Sequence, residues 1–179
     1  MMAGWSNPPL TLYHGTHGAA VGATPGLSRG TRLSAFVPSL SFCRPKRDFG
    51  LGFYTTTKLH QAKEWASERT RRAPAGAVAV VVGFDVSRDA LAGLESLVHV
   101  TQSADFWGFV RHCRNGGTPL HGRSDLPGMY DVVYGPVTLW PQKLVIHDCD
   151  QVSFHTGSAL GSLPPAYLAA TARHRSGLF

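Results

Sequence analysis

Glutamate is scarce in this 179-residue chain: only Glu64, Glu68 and Glu95 occur, and none follows residue 95. Chemistry in the second half that needs a carboxylate must draw on Asp105, Asp125, Asp131, Asp148 or Asp150. Charge is thin overall, at 16% of residues against the usual ~25%. Cysteine is sparse too. Cys43, Cys113 and Cys149 are odd in number and lack CxxC spacing, which argues against a disulfide framework or a structural zinc site. His14 and His17 form an HxxH pair, but Gly15 and Gly18 argue against a helix that would align them. Cys149, His147 and Asp148 are too close in sequence to fold back as a triad. No metal site is expected. The longest apolar run, residues 77–82, falls far short of the ~20 residues that cross a bilayer. Residues 1–12 lack the basic start and apolar stretch of a signal peptide. A cytoplasmic protein without membrane contact is expected.

Cationic groups dominate what is present. Seventeen Lys and Arg face eleven Asp and Glu, giving a net charge of +6 and a pI near 9.6. Thirteen of the seventeen are arginine, the better bidentate phosphate ligand. The balance favours anionic partners such as nucleotides or nucleic acid. Yet the charges are scattered, apart from Arg44, Lys46 and Arg47 and then Arg69, Arg71 and Arg72.

The length suits one domain, and the pattern predicts an α+β class. Residues 10–14 read as a strand ending at Gly15, and 18–34 as a glycine-rich loop with a helical turn. Residues 53–56 are β-prone. Thr57 resembles an N-cap, with Leu59, Ala62, Trp65, Ala66 and Arg69 on one helical face; Pro74 and Gly76 end that helix. Residues 77–86 form the clearest buried strand. Ser103 or Asp105 caps a helix through Arg114 that buries Phe106, Phe109, Val110 and Cys113, and Asn115-Gly116-Gly117 stops it. Residues 118–127 read as loop, 130–134 and 151–155 as strands, and 157–170 as a short helix broken by Pro164-Pro165. The domain is expected to span 1–169, with a mobile tail over 170–179.

Three constellations carry chemistry. Tyr13-His14-Gly15-Thr16 sets an imidazole beside a backbone that a ligand can approach; an ordinary strand end fits these four residues as well. Asp48-Phe49-Gly50-Leu51-Gly52-Phe53-Tyr54-Thr55, with Gln61, Ala62 and Trp65 on the next helix, can sandwich a flat heteroaromatic ring or simply fill a core. It lacks the third glycine of a dinucleotide-fold fingerprint. On the late strand Gln151, Ser153 and His155 face one way and Asp150, Val152 and Phe154 the other. That polar row either lines a site or faces water.

In order, these blocks resemble the ADP-ribosyltransferase superfamily on its diphtheria-toxin-like and poly(ADP-ribose)-polymerase-like side. The likeness is strongest to a small bacterial branch that reads YHG, DFGxGFY, YDxVxGP and QxSFHT. It spans residues 10–163 and includes Tyr130-Asp131 through Gly135-Pro136. The resemblance implies a split β-sandwich gripping NAD as substrate. By it, His14 bonds the adenosine-side ribose, Gly15 pairs its backbone with the nicotinamide amide, and Tyr54 stacks on the nicotinamide ring. Trp65 supplies the opposite or a neighbouring wall, and Thr16 and Thr55 are second donors. On charge alone, without a motif, Arg44 or Arg47 is assigned to the pyrophosphate.

At the place of the superfamily's catalytic glutamate stands Gln151, which accepts a ribose hydroxyl but brings no charge. Charge-assisted hydrogen bonds are about twice as strong as neutral ones, so a substitute carboxylate is sought. Asp131 ranks first, ahead of Asp148 and Asp150; a loop-capping role is the other reading of Asp131. The implied activity is mono-ADP-ribosyl transfer, with a nucleotide or nucleic acid slightly favoured over protein as acceptor. An NAD glycohydrolase, a non-catalytic NAD or ADP-ribose binding module, and an interaction domain without cofactor are the alternatives.

Overall fold

The computed structural model describes residues 7–23, 26–120, 128–172 and 177–179. In chain order the elements are β1 (Leu10–His17), β2 (Phe53–Thr55), α1 (Leu59–Arg71), β3 (Ala79–Val86), α2 (Arg88–Ala92), β4 (Ser96–Val98), α3 (Ala104–Arg114), β5 (Val132–Leu139), β6 (Leu144–Phe154), α4 (Gly157–Gly161) and β7 (Tyr167–Thr171). They make an α+β fold with two small sheets, one ordered β1-β3-β7 and the other β2-β6-β5-β4. No described helix is long and apolar enough to cross a membrane.

The valine-rich strand organises the packing. β3 lies between β1 and β7 and buries every residue except Asp85. Side chains alternate across a strand, so Val80, Val82, Phe84 and Val86 enter one cluster with Phe53, Val132, Val152 and Phe154 of the other sheet. On the opposite face Ala79 and Val81 meet Ala62 and Ala66 of α1. A third cluster sets Phe106 and Val110 of α3 against Phe49 and Val133. The sheets also touch through backbone. Tyr13 N donates to Thr56 O at 2.8 Å, and Thr56 N donates to Tyr13 O at 2.9 Å.

Several boundaries differ from expectation for local reasons. β1 runs on through Gly15 to His17 because β3 pairs it throughout. Thr57 does not cap α1. Lys58 holds that position, and the Thr57 N–H instead donates to Asp150 at 2.8 Å. The short strand expected at 130–134 starts at Val132 and passes through Pro136, which the sheet accommodates at a register shift between Pro136 and Thr138. Opposite it, β6 is seven residues longer than expected at its N-terminal end, and Asp148 there adopts φ 53°. Only the first part of 157–170 is helical; after Pro165 the chain becomes β7.

Of the expected loop at 118–127, residues 121–127 lie outside the described set, as do 173–176 of the expected tail. Ala170 and Thr171, assigned to that tail, close β7 against β3. At the very end the Gly177 carbonyl accepts from Ala79 N at 2.7 Å, and Phe179 N donates to Ser67 Oγ at 3.0 Å. The C-terminal residues are tied to β3 and α1.

Candidate functional site

Strand β6 sits between β2 and β5, and its polar row is buried: Gln151 is 2% exposed, Ser153 0% and His155 1%. Two of the three are structural. His155 Nδ1 lies 2.7 Å from Leu51 O, and a carbonyl only accepts, so Nδ1 carries the proton and Nε2 accepts from Ser153 Oγ at 2.7 Å. Burial pushes the His155 pKa down to about 4, which keeps the ring neutral at pH 7. A Cβ on Gly52 would come within 2.8 Å of that ring. One glycine of the GxG segment therefore makes room for a histidine.

Gln151 behaves differently. Its Nε2 donates to Asp48 Oδ2 at 2.8 Å and to Pro136 O at 2.9 Å. Asp48 is buried at 4% exposure. Its Oδ1 accepts from Arg114 Nε at 2.8 Å, Arg114 Nη2 at 2.5 Å and Thr138 Oγ1 at 2.7 Å. Thr138 N donates to Oδ2 at 2.9 Å. Five donors thus fill the roughly four lone-pair sites of a carboxylate. The loop over residues 44–52 is shaped to hold Asp48 there. Tyr54 Oη accepts from Phe49 N at 3.0 Å and donates to Gly50 O at 2.9 Å, while Gly50 takes φ 82°, a conformation that favours glycine. Burial is the main cause that raises the Tyr54 phenol above its ordinary pKa.

Asp48, Tyr54, Trp65 and Gln151 line one cavity of about 370 Å³, together with Arg47 and Arg69. Arg72 and Arg114 complete its basic wall, but both are engaged, Arg72 with Glu68 and Arg114 with Asp48. Among the described residues neither Arg47 nor Arg69 has an ion-pair partner. The cavity therefore combines an aromatic wall, two guanidinium groups outside any described ion pair and one buried amide, with the paired carboxylates Asp48 and Glu68 on the same lining. Such a mixture suits a flat ring joined to an anion.

The other expected site residues are placed elsewhere. His14 Nδ1 donates to Tyr54 O at 2.7 Å, and its ring stacks on Phe53 at 4.6 Å. Burial first, and then the Arg69 charge, lowers its pKa to about 4. A Cβ on Gly15 would meet Ala62 O at 2.1 Å and Ala66 N at 2.7 Å, so helix packing already demands this glycine. Its backbone is a separate matter. Tyr13 aims its N–H and C=O at Thr56, and strand alternation aims those of Gly15 to the same side. Thr16 is buried in the β1–β3 ladder, and Thr55 Oγ1 donates to Val152 O at 3.0 Å.

Asp131 does not reach Gln151. It accepts from Thr156 Oγ1 and from Glu95 N at 3.2 Å. Gln151 pairs with Gly135, four residues or about 13 Å along the strand at ~3.3 Å per residue. Asp150 accepts from Thr56 Oγ1 at 2.7 Å on the other face of β6, and Asp148 bridges to Lys58 at 2.9 Å. The carboxylate beside Gln151 is Asp48, which sequence reasoning missed by looking only after residue 95. Its signal was its place at the head of the DFGxGFY block.

A family model described as Protein of unknown function (DUF3990) matches residues 27–139. The chain belongs to this DUF3990 family. Neither a curated protein nor a solved structure matches it. The DUF3990 span contains Asp48, Tyr54, Trp65 and the four cavity arginines. It ends before β6, so Gln151 enters the site from outside the matched stretch. Among the described residues of this DUF3990 protein, no group of three or more His, Cys, Asp or Glu is arranged to hold a metal ion.

Proposed function

We propose that this DUF3990 protein is an NAD-dependent mono-ADP-ribosyltransferase whose nicotinamide end of NAD occupies the Tyr54–Gln151 cavity. The observation that carries the reading is the meeting of Tyr54 and Trp65 with Gln151, drawn from two constellations about a hundred residues apart in sequence, on one cavity with two arginines outside any described ion pair. Two small sheets joined at the Tyr13–Thr56 bridge support a split β-sandwich of the ADP-ribosyltransferase kind. In this reading Tyr54 and Trp65 wall the nicotinamide ring, and the Gly15 backbone pairs with its amide. Arg47 and Arg69 meet the pyrophosphate. Gln151 Oε1 accepts the ribose 2′-hydroxyl. The bond from C1′ to the nicotinamide nitrogen breaks with its electron pair leaving on nicotinamide, an acceptor nucleophile bonds to C1′, and the acceptor's proton goes to solvent. The excess of arginine favours a nucleotide or nucleic-acid acceptor.

A second reading, a module that binds NAD or ADP-ribose without turning it over, is favoured by one observation. Asp48 spends its lone pairs on five internal donors, so no carboxylate oxygen is left for the ligand. Nicotinamide release from NAD, with labelled ADP-ribose followed into protein, DNA and RNA, decides among these. Release with transfer supports the first reading, release alone a glycohydrolase, and binding without release the module. No binding of NAD overturns all three.

A further inference from the structure

An amide is nearly symmetric in shape, so a buried glutamine can present either end to a ligand. In Gln151 the choice is made from behind. Asp48 Oδ2 at 2.8 Å and Pro136 O at 2.9 Å converge on one end of the side chain, and both only accept. That end must be the NH2, which leaves Oε1 towards the cavity that Gln151 lines. No donor among the described residues occupies Oε1.

Resting on the NAD reading above, we propose that Asp48 is a positioning residue for Gln151: it fixes Oε1 as the cavity's hydroxyl acceptor and strengthens it by polarising the amide. A hydrogen bond to an ionised acceptor is the stronger kind, and bonds in a chain reinforce one another in a low dielectric. Arg114 and Thr138 hold the carboxylate in register. The site then takes a ligand hydroxyl at Gln151 and anionic groups at Arg47 and Arg69. A carboxylate at 151 would face two acceptors within 2.9 Å. The aspartate at 48 and the amide at 151 are therefore a matched pair.

The test compares NAD with its nicotinamide-ribose 2′-deoxy analogue by calorimetry on the full chain, wild type and Asp48→Asn, with folding checked by thermal melting. The wild type is expected to prefer NAD by about ten-fold or more, the scale of one net hydrogen bond. In Asp48→Asn the new NH2 faces donors, Pro136 O is left as the one unchanged acceptor on the Gln151 amide, and with the charge gone the preference falls to within about two-fold. A merely structural role would weaken both ligands alike and leave their ratio unchanged, and that result overturns the proposal. So does a wild type that binds NAD without discrimination. If Asp48→Asn does not fold, Gln151→Met removes the acceptor and keeps Asp48; a retained preference again overturns the proposal. A wild type that binds neither ligand overturns the NAD reading itself, and the inference with it.

Discussion

Asp48 and Asp131 each open a segment rich in glycine and aromatics, and each spends both carboxylate oxygens on ties within the chain. They differ in what they join. Asp48 is buried, pairs with a cation and links the 44–52 loop to α3, β5 and β6. Asp131 is half-buried and joins the starts of β4 and α4 through neutral donors. Burial with a partnered charge makes a carboxylate indispensable to its neighbours, whereas a rim carboxylate contributes about as much as any single hydrogen bond.

The largest effect expected from this contrast is that of Asp48→Ala. It strands Arg114 and unties Gln151, at a cost of about 3–5 kcal/mol, to be read by denaturant unfolding; a loss below that of Asp131→Ala would break the comparison. Next comes acid sensitivity on the Asp48 side of the sheet. His155 has a folded pKa of about 4 against ~6.5 unfolded. The unfolded chain therefore binds the extra proton first, and stability falls as pH drops from ~6.5 towards 4. Roughly 2–3 kcal/mol of that acid loss should vanish in His155→Gln, measured as flattening of stability against pH over that window. His14, also lowered to about 4, supplies a second such contribution.

Gln151→Glu sharpens the contrast further. Set against Asp48, the new carboxyl keeps its proton in the folded state above its unfolded pKa. The variant should come nearest the wild type near pH 4, where its single O–H still serves one of the two acceptors, and lose about 1–2 kcal/mol more relative to it by pH 8; unfolding at several pH values checks the sign. The smallest effect is Asp131→Asn, about 1 kcal/mol or less, with NAD turnover unchanged. A large loss of turnover there would return the catalytic role to Asp131.

What the sequence made legible follows periodicity and capping. The buried run of β3, the Ser103 cap that accepts from Phe106 N at 3.2 Å, and the alternation of Gln151, Ser153 and His155 all emerge from local pattern. The N-terminal half of β6 did not, because its residues are largely exposed polar ones whose strand state comes from pairing with β5. β4 and β7 are short edge strands of their sheets, with too few residues to show a period. Tyr54, Trp65 and Gln151 stood out by residue type and spacing, and the structure sets them on one cavity. Their partner Asp48 was not, because nothing local pairs a position at 48 with one at 151. Gly15 shows the opposite limit. A glycine beside a histidine invites a ligand reading, yet the nearest claim on its missing side chain is α1.

The order β2-β6-β5-β4 has a consequence for where this protein can be divided. The family match stops at residue 139, the last residue of β5, while β6 is the strand that both β2 and β5 hydrogen-bond. A fragment ending there would keep the tyrosine, the tryptophan and all four cavity arginines, yet β2 would have no neighbour in its sheet and β5 only the three-residue β4. The stretch that completes the four-stranded sheet is therefore longer than the stretch by which its kinship is recognised.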